Sequence, residues 1–170
     1  KNFAEKHQIP VVETIAGRAN LKNEHPLNIG PIGVTGSDSA NNIAENADVI
    51  LAVGTRLQDF TTGSWTAFAL DAKFISLNAG RHDAVKHMAL SVVGDAKLSI
   101  DLLSENLDYV APSNWVQLAQ DERLKWEKYV SENVSAGNQP NSYAQAIGVV
   151  NDNCDKRDRI VAAAGGLPAE

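Results

Sequence analysis

Short apolar runs alternate with amphipathic segments through most of the chain. The runs are "IPVVET" (Ile9–Thr14), "DVILAVG" (Asp48–Gly54), "KFISLNA" (Lys73–Ala79) and "LSVVG" (Leu90–Gly94). They are mostly continuous rather than alternating, which is typical of parallel strands covered on both faces. We therefore predict buried parallel strands at these four places.

The segment after "GVTG" has the periodicity of a helix. Its apolar residues recur at i, i+3, i+4 and i+7, and they are Ala40, Ile43, Ala44 and Ala47. This spacing makes one apolar stripe, and either Ser37 or Asp38 can serve as the N-cap. The sequence predicts a helix that begins here and packs on the sheet.

A second helix is predicted over Asp95–Leu107, with Asp95 as its cap. We expect it to bury Leu98 and Leu102, with Ile100 and Leu103 as further candidates. Strands and helices joined by short connections predict a three-layer, doubly wound α/β fold with a mostly parallel sheet. The opening "KNFAEKHQIP" has the pattern of the end of a helix, so we expect one earlier strand upstream.

The pattern changes after "YVAPSN". A long amphipathic helix to about Val134 is followed by "SAGNQPNS" (Ser135–Ser142), whose Gly, Pro, Asn and Ser content predicts a linker. Another helical stripe begins at Tyr143, and "RIVAAAGGLPAE" predicts a strand that runs into a glycine turn. We therefore divide the chain into a Rossmann-like domain (1–110), a helix and linker (111–141) and the start of a second α/β domain (142–170).

Composition excludes several classes of function. The net charge is −6 with 44% hydrophobic residues, and the basic residues are scattered, so nucleic acid is a poor partner. No apolar run approaches the roughly 20 residues that cross a bilayer. The single cysteine, Cys154, excludes an internal disulfide and fits a reducing cytoplasm.

Three glycines, Gly30, Gly33 and Gly36, are spaced three apart in "GPIGVTG". This G-x-x-G-x-x-G spacing is neither the dinucleotide fingerprint nor a P-loop. Glycines still permit close approach of a ligand or of another backbone segment, and the helix that follows offers free N–H groups. Ligand contact and pure turn geometry both remain open, with turn geometry favoured.

The segment "GTRLQDFTTGSW" follows a predicted strand, where ligands gather in open α/β sheets. Arg56 could bind a phosphate or carboxylate, and Asp59 could accept from a ribose hydroxyl. Alternatively, the two side chains neutralise each other, or Asp59 caps the following turn.

His82, Asp83 and His87 suggest a metal site, but His82 and His87 lie five apart, so on a helix they point away from each other. Asp83 and His87 have the spacing of an ordinary surface pair. We therefore predict no metal site and no catalytic residue in the chain.

Several stretches together resemble a known family. They include "HPLNIGPIGVTGSDSANNIAENADVILAVGTRLQDFTTGSW", "FISLNAGRHDAVKH" and "AAGGLPAE". The chain resembles the trihydroxycyclohexane-1,2-dione hydrolases of bacterial inositol catabolism, thiamine-diphosphate enzymes related to acetolactate synthase. The resemblance places the chain in the middle domain of a three-domain enzyme, with the first elements of the C-terminal domain.

The resemblance implies that thiamine diphosphate and Mg²⁺ serve the full-length enzyme, which would hydrolyse a ring C–C bond of the cyclic dione to give a deoxyglucuronate. Backbone groups of Gly166 and Leu167 would approach the diphosphate. The family's activating glutamate is absent here, and so is its Gly-Asp-Gly magnesium motif. The pair Gly94–Asp95 resembles the start of that motif but lacks the second glycine. We therefore expect these 170 residues to be inactive alone and not to bind the cofactor tightly.

Flavin-containing relatives hold FAD or ADP in the middle domain, and the glycines, Arg56 and Asp59 align with that place. For the hydrolase branch we expect a vestigial, empty site. The resemblance also implies flanking domains as partners and a homo-oligomer. Alternatives are an acetolactate-synthase-like or malonic semialdehyde decarboxylase-type enzyme, an FAD-, ADP- or NAD-binding module, or a purely structural domain.

Overall fold

The computed structural model describes residues 1–135, 142–155 and 157–161. Parallel strands alternate with helices through a first compact unit, Lys1–Arg123, and a second unit begins at Leu124. The α/β class with parallel sheets flanked by helices is confirmed. No helix in the described part of the chain is both long and apolar enough to cross a membrane.

The elements are short and closely spaced. The strands are β1 Val11–Glu13, β2 Asn28–Pro31, β3 Val49–Val53, β4 Lys73–Asn78 and β5 Leu90–Val93. The helices are α1 Asn2–His7, α2 Asp38–Glu45, α3 Asp59–Thr62, α4 Arg81–Ala84, α5 Ala96–Asn106, α6 Ser113–Val134 and α7 Tyr143–Asn153, with 3₁₀ turns at Ile15–Gly17 and Lys86–Met88.

The described strands form two parallel sheets, β1–β2 and β3–β4–β5. All four predicted strands are present, although β1 is shorter than predicted. Strand β2 was not predicted, because Gly30 and Pro31 lie within it and both residue types are unfavourable in strand interiors. The glycine segment therefore begins in a strand that the sequence did not indicate.

One side of the β3–β4–β5 sheet packs on the main hydrophobic core. Ala40 and Ala44 of α2 belong to the same buried cluster as Ala52 of β3 and Phe74 of β4. The predicted stripe of α2 is confirmed, and Ser37 is its N-cap, with Oγ accepting from the Ala40 N–H at 3.2 Å. The cap and the stripe together fix this helix on the sheet.

The last strand and helix of the first unit are much more exposed. All four residues of β5 are exposed, so the prediction of cover on both faces is wrong for this strand. Leu98 and Leu102 of α5 are 64% and 61% exposed, so their predicted burial is wrong too. The physical reason is that α5 carries two apolar stripes and turns the one through Ile100 and Leu103 inwards. The predicted Asp95 cap is confirmed, since its carboxylate accepts from the Leu98 N–H at 2.9 Å.

The side chain of Arg123 forms hydrogen bonds with the segment that leads into β2. Its guanidinium donates to the backbone carbonyls of Asn23 and Asn28 and, at 3.1 Å, to that of His25. These hydrogen bonds give the charged side chain of Arg123, which lies within the amphipathic helix α6, a structural role. Ala119 of the same helix is fully buried against Ile29 and Ile43.

The second unit contains the end of α6 and α7. Ser142 and Gln145 form a capping box at the start of α7, and Gln145 Nε2 also donates to the Ser135 carbonyl at 3.1 Å. Gly148 lies against the Val134 backbone, where a Cβ would not fit. The predicted helix is confirmed, whereas most of the predicted linker and of the strand that follows Arg159 lie outside the described residues.

Candidate functional site

The glycine loop, Gly30–Gly36, connects β2 with the start of α2. Gly30 has φ +114°, and a Cβ there would lie 2.6 Å from Ser37 Oγ. A Cβ at Gly36 would lie 2.6 Å from the Pro31 carbonyl oxygen. Both positions therefore require glycine because the loop folds tightly upon itself.

Among the three glycines of this loop, Gly33 packs against the backbone of α3. Its φ is +118°, and a Cβ would lie 2.5 Å from the Phe60 carbonyl oxygen of α3. The neighbouring Val34 N–H donates to the same oxygen at 2.9 Å. The glycine loop thus packs directly against the backbone of the segment that contains Arg56 and Asp59.

Asn41 of α2 holds Gly33 from the other side. Gly33 N–H donates to Asn41 Oδ1 at 3.0 Å, and Asn41 Nδ2 donates to the Gly33 carbonyl at 3.1 Å. One amide side chain therefore satisfies both the N–H and the C=O of Gly33, as a neighbouring strand would. The conformation of the loop is fixed by the protein's own groups.

The segment after β3 is tied to the end of β4. Asn78 is buried, and its Nδ2 donates to the Thr55 carbonyl at 3.0 Å. The side chains of Arg56 and Asp59 are exposed, and these two described residues form no ion pair with each other. Gln58 is the N-cap of α3, so Asp59 does not cap it. Neither the mutual neutralisation of Arg56 and Asp59 nor the capping role of Asp59 is thus seen.

A small charged cluster lies at the start of α4. Lys86 Nζ contacts Asp83 at 2.6 Å and donates to the Arg56 carbonyl at 3.4 Å. The hydrogen bond from Lys86 lowers the pKa of the Asp83 carboxyl, and the charges of His82 and Arg56 lower it further. The predicted surface pair of Asp83 with His87 is wrong, because Lys86 takes that place.

His87 instead stacks on Trp65. Their ring centroids are 3.6 Å apart, and the rings are inclined by 17°. Both residues have left-handed backbone conformations, with φ of 72° at Trp65 and 56° at His87. Such conformations are uncommon outside glycine and costly for a bulky residue such as tryptophan, and strained backbone is concentrated at functional sites. No sequence signal identifies this pair, because it depends on two loops meeting.

An open cleft of about 490 Å³ lies beside the glycine loop. Its lining residues are Gly33, Val34, Asn41, Glu45, Gly63, Ser64, Thr66 and Ala67. Gly30, Gly36, Arg56 and Asp59 are not among them. Of the residues predicted for a nucleotide site, only Gly33 therefore lines the cleft.

Metal and diphosphate ligands are a separate question. Within the described ranges, no three His, Cys, Asp or Glu side chains lie together in a way that could hold a metal ion. Gly166 and Leu167, which the resemblance associates with a diphosphate, lie outside the described residues.

Comparison with known proteins establishes the family. Residues 1–103 match the family described as thiamine pyrophosphate enzyme, central domain. The chain belongs to this family. The parallel sheets flanked by helices are thus the architecture of a thiamine-enzyme central domain.

Several curated relatives share one name. The chain is 33% identical over 198 residues to the 3D-(3,5/4)-trihydroxycyclohexane-1,2-dione hydrolase of Clostridium perfringens, covering 99% of the chain and 30% of the relative. It is 36% identical over 193 residues to the enzyme of that name from Geobacillus thermodenitrificans, with coverages of 99% and 30%. For hydrolase 1 of Bacillus cereus the identity is 35% over 198 residues, with coverages of 100% and 31%. The chain thus spans less than a third of the length of these relatives.

Proposed function

We propose that the chain is the central domain of a thiamine-diphosphate-dependent hydrolase. The full-length enzyme would cleave a ring C–C bond of trihydroxycyclohexane-1,2-dione with water, giving a deoxyglucuronate in myo-inositol catabolism. The observation that carries the proposal is the likeness over 99% of the chain to relatives with this name. The family match over residues 1–103 supports it independently.

The proposed cofactors are thiamine diphosphate and Mg²⁺. When bound, the thiazolium ring supplies an electron sink for C–C bond cleavage, and a hard cation such as Mg²⁺ suits the diphosphate oxygens. In this proposal the backbone groups of Gly166 and Leu167 approach the diphosphate. The described residues supply the scaffold rather than the reacting groups.

The proposed role of the glycine loop is structural. Gly33 packs on the Phe60 backbone and is held by Asn41, and both contacts support a loop shaped for docking two helices. The residues Gly30, Gly33, Gly36, Arg56 and Asp59 would then be the remnant of a nucleotide site, consistent with a cleft that takes in only one of them.

The proposal extends to the surroundings of the enzyme. Its partners would be the flanking domains of the same polypeptide, further copies of it in a homo-oligomer, and the cyclic dione as substrate. The net charge of −6 argues against nucleic acid as a partner. The single cysteine supports a cytoplasmic location, without association with a membrane.

The decisive experiment is an assay of the polypeptide extended to the length of its relatives. With thiamine diphosphate and Mg²⁺, we expect loss of trihydroxycyclohexane-1,2-dione and formation of one ring-opened acid, followed by NMR. Pyruvate and malonic semialdehyde serve as competing substrates. Turnover of either of these, with none of the dione, would overturn the proposal in favour of a synthase or decarboxylase.

The 170-residue chain provides the matching control. We expect neither turnover nor calorimetric binding of thiamine diphosphate in the micromolar range. A thermal-shift screen with FAD, ADP and NAD tests the remnant site, and we expect no increase in melting temperature. An increase that disappears in Arg56→Ala would show a working nucleotide site instead.

A further inference from the structure

Strand β5 has an unpaired edge. Among the described strands it lies at the end of its sheet and pairs with β4 alone. The Gly94 N–H donates to the Asn78 carbonyl at 3.1 Å, so the peptide groups of Gly94 face β4. Because peptide groups alternate along a strand, the N–H and C=O groups of Ser91 and Val93 face the open edge. They are available to pair with a further strand.

The composition of β5 does not protect this edge. Natural edge strands commonly carry lysine, other charged residues or proline, which prevent pairing between molecules. Strand β5 reads Leu-Ser-Val-Val, and all four residues are exposed. An exposed edge without charge or proline favours pairing with another strand.

One face of β5 is apolar and uncovered. Leu90 and Val92 are in register with Ile75 and Leu77 of β4. Phe74 points to the opposite face, where it joins the buried cluster that contains residues of α2 and, within the described part of the chain, none of α5. Helix α5 contacts β4, so it lies over the face of Leu90 and Val92. It leaves both of these residues exposed.

The exposed leucines of α5 lie beside this apolar face. A strand rises about 3.3 Å per residue and a helix about 1.5 Å, so α5 returns to the level of Val92 about five residues after Asp95. Leu98 and Leu102, both exposed, lie one on either side of that level. The apolar residues of β5 and α5 thus form one exposed surface at the end of the sheet.

The charges beside these leucines suit a second helix α5 that runs in the opposite direction. Lys97 lies one turn before Asp101 and two turns before Glu105 on the same side of the helix. Its Nζ contacts Asp101 at 2.9 Å, and both side chains remain largely exposed. If a two-fold axis passes near Val92, Lys97 of each copy faces Glu105 of the other. This charge pattern is complementary to itself, so it favours a second copy as the partner.

We propose that two copies of the chain pair their β5 edges antiparallel about a two-fold axis, so that the two β3–β4–β5 sheets become one continuous sheet. Ser91 of one copy then lies opposite Val93 of the other, a register that uses every edge-facing group, and Val92 lies on the axis. The leucines of the two α5 helices cover the apolar face beneath them. The inference rests on the homo-oligomer of the proposed function and on none of its chemistry.

A flanking segment of the same polypeptide is the rival occupant of this edge. Such a segment would cover β5 at every protein concentration, whereas pairing between copies is lost on dilution. Unfolding of the dilute monomer therefore does not report on the proposed interface, and Leu98 stays exposed in that state.

Symmetric disulfide formation in the polypeptide extended to the length of its relatives tests the proposed register. In a Cys154→Ser background, Val92→Cys places two thiols across a pair whose Cα atoms lie about 4.5 Å apart, within disulfide reach. Leu90→Cys is the control, because its two copies lie four strand residues apart, about 13 Å. With diamide as the oxidant of the two thiols, we expect a covalent dimer from Val92→Cys alone, relative to the Cys154→Ser parent.

The other outcomes of this experiment count against the interface. A covalent dimer from both variants, from Leu90→Cys alone or from neither would overturn the proposed pairing. Turnover of the cyclic dione, measured on the same samples, keeps a failure of the interface distinct from a failure of the proposed function.

A charge exchange tests whether the partner is a second copy. Lys97→Glu places like charges opposite each other, so we expect the dissociation constant, measured by analytical ultracentrifugation of the extended polypeptide, to rise at least about tenfold. Adding Glu105→Lys should restore the pairing. The two positions lie about 12 Å apart along one helix, so recovery requires contact between copies. An unchanged dissociation constant in Lys97→Glu, or no recovery in the double variant, would overturn the proposal.

Discussion

The β2–α2 region and the β5–α5 region have the same strand-then-helix pattern but very different environments. In the first, Ile29 and Ala40 are 1% and 0% exposed, and the connecting loop is bonded on both sides. In the second, Leu90 and Leu98 are 68% and 64% exposed. An apolar run thus predicts the element, whereas its burial depends on what other parts of the protein supply as neighbours.

The largest expected effect tests the tight packing of the glycine loop. Gly33→Ala places a Cβ against the Phe60 carbonyl at a positive φ, so we expect the unfolding free energy to fall by about 3 kcal/mol or more. Gly54→Ala is the control: it also has a positive φ, +63°, but its Cβ would meet no atom within 4 Å. Urea unfolding should give a loss of about 1–2 kcal/mol for the control. Equal losses would mean that Phe60 does not constrain the loop.

The second prediction compares the loss of stability at a buried residue with the loss at an exposed one. Ile43 of α2 is 5% exposed, so Ile43→Ala should cost about 2–5 kcal/mol through lost packing and a cavity. Leu98→Ala should change stability by less than about 0.5 kcal/mol. Both values come from the same urea titration. A large loss at Leu98 would contradict the contrast between the two regions.

The third prediction concerns the Asn41 amide. Asn41→Ala leaves both polar groups of Gly33 without their partner, and we expect a loss of about 1–3 kcal/mol. Asn46→Ala is the matched control, because its exposed amide donates only to the Asn42 carbonyl, at 2.7 Å. Faster amide exchange at Gly33, specifically in the Asn41 variant, would confirm the local origin of the loss.

The smallest expected difference in stability is between variants of the two helix caps. Ser37 is fully buried and bonds to Ala40 N–H and Ser39 Oγ, so Ser37→Ala should cost about 1–2 kcal/mol. Asp95 is an exposed cap of α5, and Asp95→Ala should cost about 0.5–1 kcal/mol. Circular dichroism during thermal unfolding measures both, and a larger loss at Asp95 would reverse the ranking.

Much of the fold could be predicted from local patterns. The strands β3, β4 and β5, the helix α2 and the caps Ser37 and Asp95 follow from runs, periodicity and cap residues. Strand β2 could not be predicted, because its glycine and proline are unfavourable in strands and its pairing with β1 is a tertiary contact. Which stripe of α5 turns inwards was equally undetermined, since both stripes are apolar.

The candidate site was less predictable. The glycine spacing differs from the standard phosphate-binding motifs, but the sequence could not show that the Phe60 backbone and Asn41 would contact Gly33. Such contacts join segments that are distant along the chain, and their geometry comes from the packing of α2 and α3. The nucleotide role of Arg56 and Asp59 stays a prediction.

The stacking of His87 on Trp65 gives this protein a built-in optical reporter. A histidine ring stacked on an indole quenches its fluorescence, so the emission of Trp65 depends on its contact with His87. Any molecule that separates the loops after β3 and β4 would brighten this tryptophan. A replacement of Trp115 and Trp126 by phenylalanine would isolate the signal, which then follows these loops without any added label.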